Sequence, residues 1–185
     1  LFPDSEFSRD VIRSRMTEAR RVLAGAIVHV DHTWGVSEVV STDWQRFQAL
    51  AGGSMDQQRA ALRLVRGLPF EGYDGEWVHA EGHDRQIEAA IVDLALSVAE
   101  RALVDGNDRL ATEAVEAGLR AAPYEERLYR MGMRACAARG ATGEVRGYMR
   151  ALKRLLDIDV EPEDRIQPET EQLYRRLVAS EQRAG

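Results

Sequence analysis

The sequence predicts a mainly α-helical fold, a helical repeat array preceded by one helix and a β-hairpin, and three observations carry that prediction. Small residues at Ala99, Ala102, Ala111 and Gly118, a large apolar residue at Val115 and a closing Pro123 have the spacing of two crossing helices. Small side chains suit the crossing, and proline suits the point where the second helix stops. The pattern returns 33 residues later as Gly132, Ala135, Tyr148 and Ala151. Turn-forming runs Asp105-Gly106-Asn107-Asp108 and Gly140-Ala141-Thr142-Gly143 fall where both units need them.

This spacing resembles the tetratricopeptide repeat. One repeat cannot bury its own apolar face, so paired repeats imply stacking into a right-handed array whose usual work is partner binding. The chain has 185 residues, 44% of them hydrophobic and 30% charged, which fits a folded, soluble protein. No apolar run approaches the ~20 residues that span a bilayer, and no signal-peptide pattern opens the chain. Its single cysteine excludes an internal disulfide and favours a reducing, cytoplasmic setting. Because it opens at Leu1 in what reads as the middle of a unit, the chain is expected to be a segment of a longer protein.

Net charge is −6, which argues against a general nucleic-acid coat. Its distribution says more. Between residues 8 and 23, Arg9, Arg13, Arg15, Arg20 and Arg21 face only Asp10 and Glu18, so one short helix is locally basic. Ser8 is its expected N-cap. Ile12, Met16, Ala19 and Leu23 form the expected buried stripe, Arg9, Arg13 and Arg20 lie on another face, and Gly25 stops the helix. Ile27, Val28 and Val30, a turn at His32-Thr33, then Val36, Val39 and Val40 read as a hairpin. A basic helix followed by a hairpin is the pattern of the second half of a winged helix-turn-helix, in which the helix enters the major groove and the wing touches the backbone.

From Thr42 the chain becomes helical. Thr42-Asp43-Trp44-Gln45 and Ser54-Met55-Asp56-Gln57 both fit the capping box, in which hydroxyl and amide satisfy free backbone donors at a helix start. The two helices that follow split at Gly52-Gly53, and Ala60, Leu64 and Gly67 suggest a degenerate first repeat. Leu68 to Trp77 reads as an irregular loop pinned by Phe70, Tyr73 and Trp77. At the far end, Ile158 to Pro162 closes the long repeat helix. Pro168 is suited to open a last helix carrying Leu173, Tyr174 and Leu177, which would lid the array. The expected domains are 1–41, 42–180 and a frayed tail at 181–185.

Chemistry-bearing patterns are sparse. His79 and His83 sit four apart, the spacing of two ligands on one helix face, but no third or fourth ligand accompanies them, so no metal is expected. His29 and His32 read as hairpin surface, and Cys136 as a small core residue among alanines. There is no phosphate-binding loop, nucleophile elbow or dinucleotide fingerprint, so neither an enzyme nor a cofactor or small-molecule substrate is expected. Arg127, Arg130 and Arg134 gather on one helix and Arg146, Arg150 and Lys153 on the next. Such rows either dock an acidic partner or pair with neighbouring carboxylates.

Together these residues resemble a known family. Asp43-Trp44-Gln45-Arg46-Phe47, Ala61-Leu62-Arg63-Leu64-Val65-Arg66-Gly67 with Pro69-Phe70, then Trp77 and Arg85, are similar to the bacterial transcriptional activator domain. So are the run from Ala122-Pro123-Tyr124 to Met131, Val160-Glu161-Pro162, and Pro168 to Tyr174. The resemblance covers about residues 42 to 178 and is to the tetratricopeptide-like module of actinobacterial antibiotic regulatory proteins, which follows a winged helix of the response-regulator type. It implies a transcriptional regulator whose complete winged helix selects promoter DNA while the array dimerises or docks a protein partner. By match to the recognition helix, Arg13 and Thr17 would face the groove and Arg9 and Arg20 the phosphates, with Arg127, Arg130 and Arg134 as candidate partner contacts. The sequence departs from that pattern in an incomplete winged helix and in Asp10 and Glu18 on the basic helix. The Trp77 to Arg85 loop, with its His79 to His83 run, is also similar to relatives that are C-terminal parts of larger, membrane-tethered proteins, so the alternative is an interaction scaffold of a signalling or envelope protein without direct DNA binding.

Overall fold

The computed structural model describes residues 9–23, 26–30, 33–72, 81–159 and 166–184. Among them are eight helices and one two-stranded sheet, divided into a unit before Phe47 and a larger unit from Phe47 onward. The mainly helical class expected from the sequence is the class observed.

In the first unit, α1 (Arg9–Val22) is followed by β1 (Ile27–Val30) and β2 (Thr33–Val36), paired antiparallel with Ile27 opposite Val36 and Val30 opposite Thr33. Two departures from expectation stand out. Met16 and Ala19 are only half-buried and Leu23 is 51% exposed, and no described residue before Phe47 is buried. The second strand ends at Val36; Val40 N–H turns back to the Ser37 carbonyl, and Val39 is exposed.

Both capping boxes form. At α2 (Asp43–Ala51), Gln45 N–H donates to the Thr42 hydroxyl at 3.1 Å and Thr42 N–H to Gln45 Oε1 at 2.8 Å. At α3 (Met55–Leu62) the same exchange joins Ser54 and Gln57. α3 then stops, with Leu64 and Val65 closing tight turns onto Ala61 and Leu62. Gly67 therefore lies beyond the helix, not at a helix crossing. The expected first repeat is correspondingly short, with α3 ending at Leu62 and capped at Arg63.

The array proper is α4 (His83–Val104), α5 (Asp108–Ala121), α6 (Glu126–Ala138), α7 (Thr142–Asp159) and α8 (Pro168–Ala184). Each helix packs on the next. α4 also packs on α6 and α6 on α8, so first helices of successive pairs stand side by side. Two glycines with positive φ make this possible. Gly106 (φ 69°) and Gly140 (φ 72°) end α4 and α6 in the left-handed region. Asn107 N–H and Ala141 N–H then reach back to the Ala102 and Cys136 carbonyls, satisfying acceptors that a helix end leaves open. Asn107 at once caps α5 by accepting from Leu110 N–H.

Ala99, Ala102, Ala111, Val115 and Ala135 are buried, as the repeat spacing requires. Ala151, expected at a crossing, is exposed, and Leu152 beside it is fully buried instead. α8 begins at Pro168 and lays Leu173, Tyr174 and Leu177 over the end of α6 and α7. Its helix continues to Ala184. Trp77, Tyr73, Pro162, His79 and His32, together with Ser8 and Gly25, lie outside the described residues.

Candidate functional site

The candidate DNA-facing surface is α1. Arg13, Thr17 and Arg20 recur at spacings of four and three, which sets them on one helical strip, and all three are exposed. Arg13, Ser14, Thr17, Glu18 and Arg21 line one shallow face. Thr17 Oγ1 donates to the Arg13 carbonyl at 2.8 Å, so its hydroxyl offers lone pairs outward while its proton is used inside the helix. Arg15 pairs weakly with Glu18 at 3.9 Å, both side chains well exposed. Arg9 begins the helix; its side chain is not among those described.

The α6 arginines are dispersed by the fold. Arg127 donates to both carboxylate oxygens of Glu125 at 3.0 Å and stands 3.7 Å from Asp93 on α4. Burial pushes the Glu125 carboxyl up, but the Arg127 hydrogen bonds outweigh it and hold the group below its ordinary value. Arg127 is raised in turn, chiefly by its hydrogen bond to Glu125. Arg130 reaches Gln167 Oε1 and the buried Thr170 hydroxyl, both at 2.8 Å, and so fastens α8. Arg134 is exposed and makes no ion pair among the described residues. The structure thus brings Arg127 and Arg130 to intramolecular partners and leaves Arg134 facing solvent.

Sequence reading missed the polar joint between α3 and α5. Arg59 Nη2 meets Glu113 Oε2 at 2.8 Å, and Arg109 Nε meets the other oxygen at 3.0 Å. The Arg59 hydrogen bond leads in holding the Glu113 carboxyl below its usual value. Arg120 Nε donates to the Val65 carbonyl at 3.1 Å, catching the acceptor where α3 has stopped. The partners lie more than fifty residues apart, at separations of 54 and 55, so no local pattern announces them.

The remaining chemistry is muted. His83 Nε2 is 2.8 Å from Glu81 Oε2, and among the described residues no three His, Cys, Asp or Glu side chains come together as metal ligands. Cys136 is fully buried, and burial pushes its thiol up to about 11, far from a reactive thiolate. None of the described helices is long and apolar enough to cross a membrane.

With this geometry in place, comparison with protein families matches residues 42–183 to the bacterial transcriptional activator domain. The chain belongs to that family. No curated protein matches the chain. The activator domain takes in both capping boxes, all the array helices and α8 almost to its end, while α1 and the hairpin precede it. Its family is a regulatory one.

Proposed function

We propose that the chain is part of a transcriptional regulator in which α1 and the hairpin are the recognition helix and wing of a winged helix, and the activator domain docks a protein partner or a second copy. The observation that carries this reading is the exposed strip of Arg13, Thr17 and Arg20 on a helix followed directly by an antiparallel hairpin, set ahead of an activator domain. In this arrangement Arg13 and the outward lone pairs of Thr17 address base edges in the major groove, while Arg9 and Arg20 address phosphates. The array carries the protein contact, with Arg134 as the exposed charge of the α6 row and Arg127 and Arg130 shaping the surface beside it. The setting is the cytoplasm, where promoter DNA is found and Cys136 stays reduced.

The test is duplex DNA binding across a salt series, using the protein with a complete winged helix and its Arg13→Ala and Arg20→Ala variants. A steep negative dependence is expected, its slope reduced by about one unit in the Arg20 variant, with altered sequence preference in the Arg13 variant. A flat salt response unchanged by either substitution overturns the DNA role and leaves an interaction scaffold.

A further inference from the structure

We infer that the cavity between α3 and α5 is a docking site for an acidic side chain of a protein partner. This deepens the partner-docking half of the proposed function and rests on that half alone. The cavity measures about 180 Å³, room for about six waters at liquid density or for one side chain with its stem. Leu62, Leu110, Ala114 and Ala117 supply apolar lining, and Arg59, Arg63 and Arg120 supply positive charge.

One of those charges, Arg59, is already paired with Glu113; the other two are not cancelled. Glu113 is shared between Arg59 and Arg109, so its carboxylate is already committed twice. Arg120 is fixed through Nε to the Val65 carbonyl, and its terminal nitrogens have no partner among the described residues. Arg63, at the C-cap of α3, is exposed and likewise carries no side-chain partner among them. Arg59 is retained there although its buried Nε–H has no hydrogen-bond partner, an arrangement that folding stability alone disfavours. With Arg59 matched by Glu113, the guanidiniums of Arg63 and Arg120 stand against one remaining lining carboxylate, Glu116.

An isolated carboxylate on a short aliphatic stem matches both halves of this lining, its methylenes on the apolar residues and its oxygens on planar donors suited to bidentate contact. A long polyanion matches it poorly, because the net charge of −6 repels one while the cavity admits a single group.

The test is titration of the full chain with a blocked pentapeptide bearing one central glutamate, followed through the backbone amide resonances of Ala114 and Ala117. The same peptide with glutamine and inorganic phosphate are the other two arms. The glutamate peptide is expected to move those resonances and the glutamine peptide to leave them in place. Arg63→Glu should weaken binding about tenfold, and Glu116→Gln should strengthen it about threefold. Both positions are exposed, and opposite effects from two exposed substitutions are not what a loss of folding produces. Equal shifts from both peptides, indifference to both variants, or a response to phosphate alone each overturn the assignment. Since no DNA is present, failure here and failure of promoter binding are read separately.

Discussion

At the scale of single residues, glycine carries the closest packing in the array. A Cβ added at Gly132 would lie 2.5 Å from Tyr148 Cζ, and that ring is held edge-on against Tyr129 with centroids 6.3 Å apart. At Gly118 it would lie 2.8 and 2.9 Å from the Leu128 methyls and 3.0 Å from Ala95 Cβ, both residues being fully buried. Alanine gains up to about 1 kcal/mol over glycine in a helix, whereas overpacking a filled core costs about 1–3 kcal/mol. Gly118→Ala and Gly132→Ala are therefore expected to destabilise the fold, by about 1 kcal/mol net. Gly147 lies inside α7 with nothing within 4 Å of an added Cβ, so Gly147→Ala should stabilise by up to about 1 kcal/mol. Urea unfolding of the three variants checks this, and midpoints that all move the same way would show that crossing distance is not what selects glycine.

At the scale of elements, α8 is fastened by polar contacts as well as apolar ones. Glu126, buried on α6, accepts from Gln167 N–H with both oxygens at 3.0 Å, at the point where α8 opens. A carboxylate there also faces the positive end of the helix. Pro168 brings no N–H of its own, and the Gln167 N–H just before it is taken up by Glu126. Glu126→Ala should cost about 1–3 kcal/mol by leaving that donor unsatisfied, and Glu126→Gln less, because an amide oxygen still accepts. Limited proteolysis that cleaves α8 faster in the alanine variant is the expected readout; unchanged cleavage would mean that Leu173, Tyr174 and Leu177 hold the helix alone. The same element shows what sequence can and cannot reveal. Pro168, the apolar spacing of α8, the two capping boxes and the Gly106 and Gly140 turns were legible because each is satisfied within a few residues. Glu126 to Gln167 spans 41 positions and Arg59 to Glu113 spans 54, so neither is visible until the helices are stacked. The α6 arginine row was visible as charge, but whether Arg127 and Arg130 faced outward depended on where Asp93 and Thr170 lay in space.

At the scale of the whole molecule, burial divides the chain into regions that must differ in stability. α4, α5 and α6 hold fully buried Ala95, Val98, Ala99, Val115, Leu128 and Met133, while the described core contains no residue before Phe47. In a stacked array each repeat is stabilised mainly by its neighbours, so the helices flanked on both sides open last and those at an end open earlier. Amide hydrogen exchange of this chain is accordingly expected to be slowest in α5 and α6 and faster in α8. It should be fastest in α1, whose Met16 and Ala19 are half-buried and whose Leu23 side faces solvent. On the winged-helix proposal the polar face of α1 stays clear for DNA, and its rigidity comes from covering its apolar face with other elements. If α1 amides in this chain were protected as strongly as those of α5, the helix would be drawing full stability from the residues present. The winged-helix reading, which makes further elements necessary to seal Met16, Ala19 and Leu23, would then lose its physical basis.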